Sequence, residues 1–228
     1  MSVDFKGAHY PKSVILYAVY FYVRYGVSYR NLEEIMEERG ADGDHATLNR
    51  WVVKFSPLIA AHAQARKRPT AVSWRMDETY IKVKGRWTYY YQAVDKTGKT
   101  LDFMLSERRN KAAARRFFKW AIDTNGVPDR VVIDKSGANL AVLESVNVIL
   151  KFTGAARRIK ILQVKYLNNM VEQDHRFIKW ITRPMLGFKA FHSADAKLAG
   201  IETAHIIRKG QLEASELTAF QQFAALAA

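Results

Sequence analysis

The chain has 228 residues and a formal net charge of +14 at neutral pH. It contains no cysteine, which excludes disulfides, cysteine nucleophiles and zinc sites built on thiolates. The excess of lysine and arginine favours a polyanionic partner, with nucleic acid the first candidate and a membrane surface the second. A basic protein without such a partner is the alternative. The most apolar early stretch, residues 14–23, is too short to span a bilayer, and we expect a cytoplasmic protein.

Three helix-length segments open the chain. Their predicted ranges are 11–25, 29–39 and 45–55. Ser28 and Asp44 are candidate N-caps for the second and third helices, and Pro57 is expected to end the third helix by residue 56. Short helices with tight, glycine-containing connections are typical of a helix-turn-helix unit. A plain helical bundle with a polar outer face is the alternative.

The third helix carries polar side chains that can reach base edges or phosphates. They are Thr47, Asn49, Arg50 and Lys54. We therefore predict a DNA-binding domain over residues 1–65, followed by a basic linker over residues 66–71. The charge is uneven, since residues 1–69 carry +3 and residues 70–228 carry +11. The second part of the chain is expected to supply most of the attraction for phosphate.

Beyond the linker, the sequence alternates between β-branched or aromatic segments and helix-like segments. The predicted strands are 72–83, 86–94, 100–105, 130–133 and 159–164, and the predicted helices are 111–125, 138–152 and 169–182. The order βββαβαβα is that of the RNase H-like fold. The predicted fold class is therefore α/β (α+β), in which a three-helix N-terminal domain precedes a mixed five-stranded sheet flanked by helices.

Three carboxylates occupy special places in this order. Asp77 lies within the first strand, Asp134 ends the fourth strand, and Glu172 lies on the last of these helices. An acid that closes a run of valine and isoleucine is costly to bury unless something neutralises it. Mg²⁺ prefers oxygen ligands, and a pair of such ions can activate an attacking oxygen and stabilise a leaving one. The three acids therefore predict a phosphodiester-cleaving site.

The helix around Glu172 has two different faces at 3.6 residues per turn. The polar face holds Asn168, Glu172, His175 and Lys179, and the apolar side holds Met170, Phe177, Ile178 and Ile181. A polar face of this kind is expected to meet phosphate, and an ordinary solvated helix face is the alternative. Asp174 falls on the apolar side and is the rival candidate for the third carboxylate.

Other acidic and aromatic residues have simpler interpretations. Glu78 follows Asp77 directly and is expected to face the other way from the strand. Asp95 and Asp102 flank a turn and are interpreted as structural. The aromatic residues of the meander are interpreted as sheet core rather than as a base-stacking platform. They are Trp74, Trp87, Tyr89, Tyr90 and Tyr91.

Several sequence blocks occur in a fixed order along nearly the whole chain. They are residues 5–7, 74–83 with Gly85 and Trp87, 93–95 with Gly98, 134–139, 166–169, 172–175, 185–189 and 207–211. Together they resemble the bacterial insertion-sequence transposases of the family founded by insertion sequence six. Gln92 and Trp180 depart from that pattern, because relatives commonly carry a basic residue there.

The resemblance implies an RNase H-like catalytic domain over residues 72–212, after the helix-turn-helix domain, with residues 213–228 left as a C-terminal tail. It implies a catalytic and metal-binding triad of Asp77, Asp134 and Glu172. The expected cofactor is Mg²⁺, as two ions, with Mn²⁺ as a substitute. The expected DNA contacts near this triad are Lys135, His175 and Lys179.

The resemblance also implies partners and a reaction. The expected partner is double-stranded DNA, both as the terminal inverted repeats of an element and as its target, bound by a homodimer or a higher homo-oligomer. The expected reaction is strand cleavage and strand transfer without a covalent protein intermediate, carried out at the bacterial nucleoid. One alternative is a non-catalytic helix-turn-helix protein with a decayed catalytic domain, and another is a hydrolytic RNase H-like nuclease.

Overall fold

The computed structural model describes residues 3–135, 137–154, 158–164, 168–185, 187–213 and 216–228. The motif residues Ser136, Tyr166, Leu167 and Leu186 lie outside these ranges. The chain divides into two compact units. The helical unit consists of Met1–Arg68, Val83–Gly85 and Phe177–Ala228, and the sheet unit consists of Pro69–Lys82 and Arg86–Arg176. This division by packing differs from the domain boundaries expected from function, and those boundaries remain a prediction.

The helical unit is built from α1, α2, α3, α7 and α8. These helices span Lys12–Arg24, Tyr29–Glu37, His45–Arg66, Phe191–Arg208 and Ala219–Ala225. Ser28 and Asp44 act as the expected N-caps, because their side chains accept hydrogen bonds from the backbone N–H groups of Asn31 and Thr47. None of the described helices has the length and apolar character needed to cross a membrane.

Helix α3 does not end before Pro57, so the prediction of a short third helix is wrong. The helix continues through Pro57 to Arg66. Proline removes one helical hydrogen bond, that to the carbonyl of Val53, but Pro57 lies on the exposed side of the helix. Phe55 and Ile59 on the other side are fully buried. Their burial favours continuation of the helix more than one missing hydrogen bond opposes it.

Helix α7 has no counterpart in the prediction and forms the centre of the helical unit. It packs against α1, α3 and α8. A Cβ atom on Gly200 would lie 2.6 Å from Val23 Cγ1 and 2.7 Å from Ser56 Oγ, so glycine permits the close approach of α7 to two neighbours. The helix is buried nearly all round and shows no one-sided apolar face, which explains why periodicity did not reveal it.

The C-terminal segment contains α8, a short helix with a capping box formed by Thr218 and Gln221. Phe223 is fully buried, with its ring 5.3 Å from that of Tyr20 on α1. Lys12 Nζ also donates a 2.8 Å hydrogen bond to the carbonyl of Ala227. The end of the chain is thus part of the packed helical unit.

The sheet unit contains a five-stranded mixed sheet in the order β3-β2-β1-β4-β5. The strands span Ser73–Val83, Arg86–Asp95, Thr100–Ser106, Arg130–Ile133 and Lys160–Gln163. β2 and β3 are antiparallel, and β4 is parallel to both β1 and β5. The two-residue turn between β1 and β2 has positive φ at Lys84 and Gly85, as a tight hairpin requires.

Helices α4, Lys111–Asn125, and α5, Gly137–Phe152, pack together and against the sheet. Their apolar residues form one core with Trp74, Tyr91 and Val131 from the strands. Helix α6, Asn169–Thr182, begins in the sheet unit and ends in the helical unit. Strand order and directions confirm the RNase H-like fold expected from the sequence.

Two side-chain interpretations in the meander have different outcomes. Asp95 is structural as expected, since its carboxylate accepts hydrogen bonds from the N–H groups of Ala71, Thr97 and Lys99. Burial tends to raise the pKa of Asp95, but these hydrogen bonds lower it. Trp87, by contrast, is 62% exposed and lies beside Tyr80 on the surface, so its assignment to the sheet core is wrong.

Candidate active site

The strand register brings the first two predicted acids together. β1 and β4 are parallel neighbours, with Arg75 opposite Val132. Two residues further along each strand, this register leads to Asp77 on β1 and Asp134 at the end of β4. The carboxylates therefore meet at the same edge of the sheet, where parallel strands commonly present functional side chains.

Glu78 joins the same cluster, so the expectation that it faces away from Asp77 is wrong. Ligand oxygens of Asp77, Glu78 and Asp134 all lie within 4.8 Å of one another. The burial pattern of β1 explains this, because Trp74 and Met76 are buried before the acids and Thr79 after them. The alternation of buried and open side chains along β1 is thus interrupted at Asp77 and Glu78, so that two consecutive residues lie on the same side, as at a β-bulge.

Two further polar residues hold Glu78. Asn139 Nδ2 donates a 3.0 Å hydrogen bond to one carboxylate oxygen of Glu78. Arg109 donates to the other at 3.2 Å, and the same nitrogen donates to Asp134 at 3.1 Å. Burial raises the pKa of Glu78, and Asn139 and Arg109 lower it. Arg109 supplies positive charge to two acids, and Asn139 fixes the orientation of one.

The third predicted acid acts on this cluster electrostatically. Burial raises the pKa of Asp77 to about 6, against the hydrogen bond from the Glu78 N–H. The negative charges of Glu78, Asp134 and Glu172 raise it as well. Because Coulomb interactions weaken with distance and solvent screening, this effect requires Glu172 to lie near Asp77. Helix α6 thus places Glu172 within electrostatic reach of Asp77, but among the described residues the acids whose oxygens lie within 4.8 Å of one another are Asp77, Glu78 and Asp134, without Glu172.

The donor set suits a hard divalent cation. Its ligand atoms are carboxylate oxygens at mutual distances that one ion can span. Asp77, Glu78 and Asp134 are all partly shielded from solvent, and like charges so close together repel one another. The positive charge of Arg109 offsets only part of this repulsion, so a bound cation would relieve the rest.

Comparisons with known proteins agree with this chemistry. A family model described as a DDE domain, for transposases of the IS240 type, matches residues 71–211. The transposase for insertion sequence-like element IS431mec of Staphylococcus aureus is 34% identical over 216 residues, which are 95% of this chain and 93% of the relative. This chain belongs to the insertion-sequence-six family of DDE transposases.

A second relative of the transposase, the transposase for insertion sequence element IS257 in transposon Tn4003 of S. aureus, is 33% identical over the same shares of both chains. Among solved structures, the dimeric form of the HTLV-2 integrase catalytic core domain in complex with magnesium has a TM-score of 0.45 at 17% identity. The matched region covers 69% of this chain and 97% of the integrase core. A chain of the simian T-cell lymphotropic virus intasome has a TM-score of 0.47 at 16% identity. The matched region covers 66% of this chain and 57% of the intasome chain.

The residues expected to contact DNA from the third helix lie on the first three turns of α3. Arg50 and Lys54 are exposed, whereas Thr47 and Asn49 are half-buried. Thr47 is occupied locally, because its hydroxyl accepts a 2.7 Å hydrogen bond from Arg50 and its N–H donates to Asp44. Their contact with DNA remains a prediction for the transposase.

The residues expected to contact DNA near the acids differ in exposure. Lys135 and Lys179 are exposed. His175 is only 6% exposed, so it lies neither on an open face that meets phosphate, as the helix periodicity predicted, nor on a solvated face, which was the alternative. Asp174, the rival third carboxylate, is also 6% exposed. Burial therefore divides the predicted polar face, and Lys179 is its accessible part.

Three members of the site were missed in the sequence. Asn139 and Glu78 lie inside the blocks that resemble the family, but their spacing alone gives no sign of contact. Arg109 lies outside those blocks, in the connection between β3 and α4. Its role depends on strand pairing that brings residues distant in the chain together, which no local pattern reveals.

Proposed function

We propose that this transposase cleaves DNA at the ends of its element and joins the resulting 3′-hydroxyl to target DNA. The observation that carries the proposal is the meeting of the carboxylates of Asp77, Glu78 and Asp134 within 4.8 Å of one another, with the charge of Glu172 acting on Asp77. A cluster of acids is suited to hold cations against a scissile phosphate. Membership in the DDE transposase family supports the same chemistry.

The proposed roles of the side chains follow from their contacts. Asp77, Asp134 and Glu172 hold two Mg²⁺ ions, for which Mn²⁺ can substitute. Bound metal supplies an activated attacking oxygen and stabilises the leaving oxygen. Glu78 has a positioning role, because Asn139 and Arg109 occupy its carboxylate. Asp77 accepts a hydrogen bond from the backbone N–H of Glu78 and forms no salt bridge within the described part of the chain, which leaves it open to a ligand.

DNA is proposed to contact the chain in two places. Residues 1–65 recognise the terminal inverted repeats, chiefly through Asn49, Arg50 and Lys54, while Thr47 supports Arg50. Lys135 and Lys179, which are both exposed, contact DNA near the reacting phosphate, whereas His175 is too buried for this role. Lys179 follows Glu172 by two helical turns on α6, so both point in the same direction from the helix axis. Such an enzyme works in the cytoplasm, on the bacterial nucleoid.

The working form is proposed to be a homo-oligomer, since two element ends must be held together. Helix α5 supports this proposal, because it exposes large apolar side chains that a monomer leaves in water. They are Val148, Ile149 and Phe152, which are 52%, 59% and 83% exposed. Phe152→Ser is expected to lower the oligomeric mass measured by light scattering, whereas the exposed-site control Lys119→Ser is not.

The deciding experiment is strand transfer by the full-length protein with Mg²⁺. Its substrate is a labelled duplex oligonucleotide that copies the DNA flanking the gene. Asp77→Asn is expected to reduce joining by roughly a thousandfold or more. The matched control is Asp123→Asn, an exposed acid that pairs with Lys119 on α4. Full joining activity in Asp77→Asn would refute the proposed function.

Product analysis separates the alternatives. A hydrolytic nuclease yields cut strands but no joined product, and a non-catalytic DNA-binding protein retards the oligonucleotide in a gel without cutting it. The presence of all three acids argues against a decayed catalytic domain. Membership in the DDE transposase family favours a transposase over a nuclease.

A further inference from the structure

The helical unit contains a groove that the proposed active site does not use. It has a volume of about 1160 Å³. One wall is formed by α2 and the first turns of α3, and the other by the segment between the 3-10 helix Arg183–Met185 and the start of α7. Sequence patterns indicated DNA contacts only for the first wall. The second wall begins at Pro184, which is 130 positions after Lys54, the last lining residue of the first wall.

The groove is strongly basic. Five cationic side chains line it, and no carboxylate occurs among the described lining residues. The cations are Arg30, Arg50, Lys54, Lys189 and Lys197. Asp44 acts on Arg50 and Glu33 lies 3.3 Å from His45, but neither acid belongs to the lining. Cations from both walls thus face one space, which favours an anion between them.

Lys197 is the unusual member of this set. It is only 8% exposed, and within the described part of the chain no carboxylate forms a salt bridge with it. Its ammonium group lies 4.9 Å from the ring centroid of Tyr29 and 5.8 Å from those of Tyr22 and Phe188. Cation–π contacts repay part of the cost of burying this charge. The nearby charge of Lys189 opposes it, and burial together with this repulsion lowers the pKa of Lys197 to about 8.

We propose that this groove holds the phosphate backbone of double-stranded DNA between its two walls, with Lys197 as the buried cation that anchors one phosphate. The inference rests on the proposed function, which supplies DNA as the polyanion. A phosphate between Lys189 and Lys197 replaces their repulsion by two attractions, which gives the second wall a binding role. The segment 184–197 is therefore part of the DNA-binding surface together with α3.

The test measures duplex binding by fluorescence anisotropy as a function of salt, with the full-length protein and a random-sequence duplex. Lys197→Met keeps an apolar stem among the aromatic rings and removes the charge. It is expected to weaken binding roughly three- to tenfold at low salt and to reduce the slope of log affinity against log salt by about 0.9. Lys197→Arg should retain the slope of the wild type.

Lys189→Met gives an independent result, because this side chain is exposed and its loss does not disturb the core. It is expected to reduce the slope by the same amount. The matched control is Lys151→Met, an exposed lysine in the last turn of α5. Thermal melting checks each variant, because a merely structural Lys197 would change the melting temperature and leave the salt slope unchanged.

The outcomes separate the two proposals. If the wild type binds duplex DNA but Lys197→Met and Lys189→Met leave the slope unchanged, the groove is not a backbone site and the proposed function survives. If the wild type does not bind duplex DNA at all, the proposed function fails first. If inorganic phosphate raises the melting temperature of the wild type while both variants bind DNA normally, the groove takes a free anion and the inference is overturned.

Discussion

The acid cluster of the sheet unit and the basic groove of the helical unit both concentrate charge of one sign, but they neutralise it differently. In the acid cluster, Arg109 and Asn139 bind Glu78, and no basic side chain of the described ranges forms a salt bridge with Asp77. In the groove, Lys197 faces aromatic rings and another lysine. A charge that the fold leaves uncompensated marks the place where a ligand of opposite sign is required. The first place suits a divalent cation, and the second suits a phosphate.

The largest effect is expected from Glu172, the proposed third carboxylate of the active site. Glu172→Gln should reduce strand transfer by roughly a thousandfold, because Glu172 acts on Asp77 and completes the set of negative charges. Asp174→Asn, on the same helix, should retain joining once folding is verified by circular dichroism. The opposite result would exchange the roles of these two acids.

A large effect on stability is expected where α7 crosses α1 and α3. Gly200→Ala places a Cβ within 2.6 Å of Val23 Cγ1 and should lower the free energy of unfolding by about 2 kcal/mol. Gly137→Ala in the sheet unit is the matched control, since a Cβ there meets nothing within 4 Å. Urea denaturation measures both, and equal midpoints would show that α7 can move aside without cost.

A smaller effect is expected from Arg109, the internal counter-ion of the acid cluster. Arg109→Met should destabilise the metal-free protein by about 1–2 kcal/mol, because it removes the positive charge that pairs with Glu78 and Asp134. The effect stays small because solvent screens part of this pairing. Mg²⁺ should then raise the melting temperature of this variant more than that of the wild type. Arg115→Met, an exposed arginine on α4, serves as the control. An identical response to Mg²⁺ in all three proteins would contradict a shared acid cluster.

The smallest effect is a pH dependence that only the groove should show. Lys197 is charged below its lowered pKa of about 8 and neutral above it, so DNA affinity should fall a few-fold as the pH rises through this value. Lys197→Arg should lack this component, as anisotropy titrations across the range would reveal. The comparison with this variant removes the contributions of the other titratable groups that line the groove, which are Tyr22, Tyr29, Arg30, His45, Arg50, Lys54, Lys189 and His192.

The sequence predicted the ends of a helix or strand correctly where neighbouring residues determine those ends. The predicted ranges 111–125, 130–133 and 169–182 agree with α4, β4 and α6. Asn110 caps α4 and Gly126 ends it, so both boundaries depend on neighbouring residues. The end of α3 and the existence of α7 could not be found in this way. Both depend on apolar contacts between helices that are far apart in the sequence.

The sequence by itself determined the order of the strands and helices of the sheet unit, the family, and two of the acids that the structure brings together, Asp77 and Asp134. These features depend on the secondary-structure propensity of neighbouring residues and on motifs that are short, continuous stretches of sequence. Only the tertiary structure decided that Glu78 joins the cluster, that Arg109 bridges two acids and that Lys197 is buried in a basic groove. Register, burial and the pairing of charges arise from contacts between distant segments, and a linear pattern carries no measure of those distances.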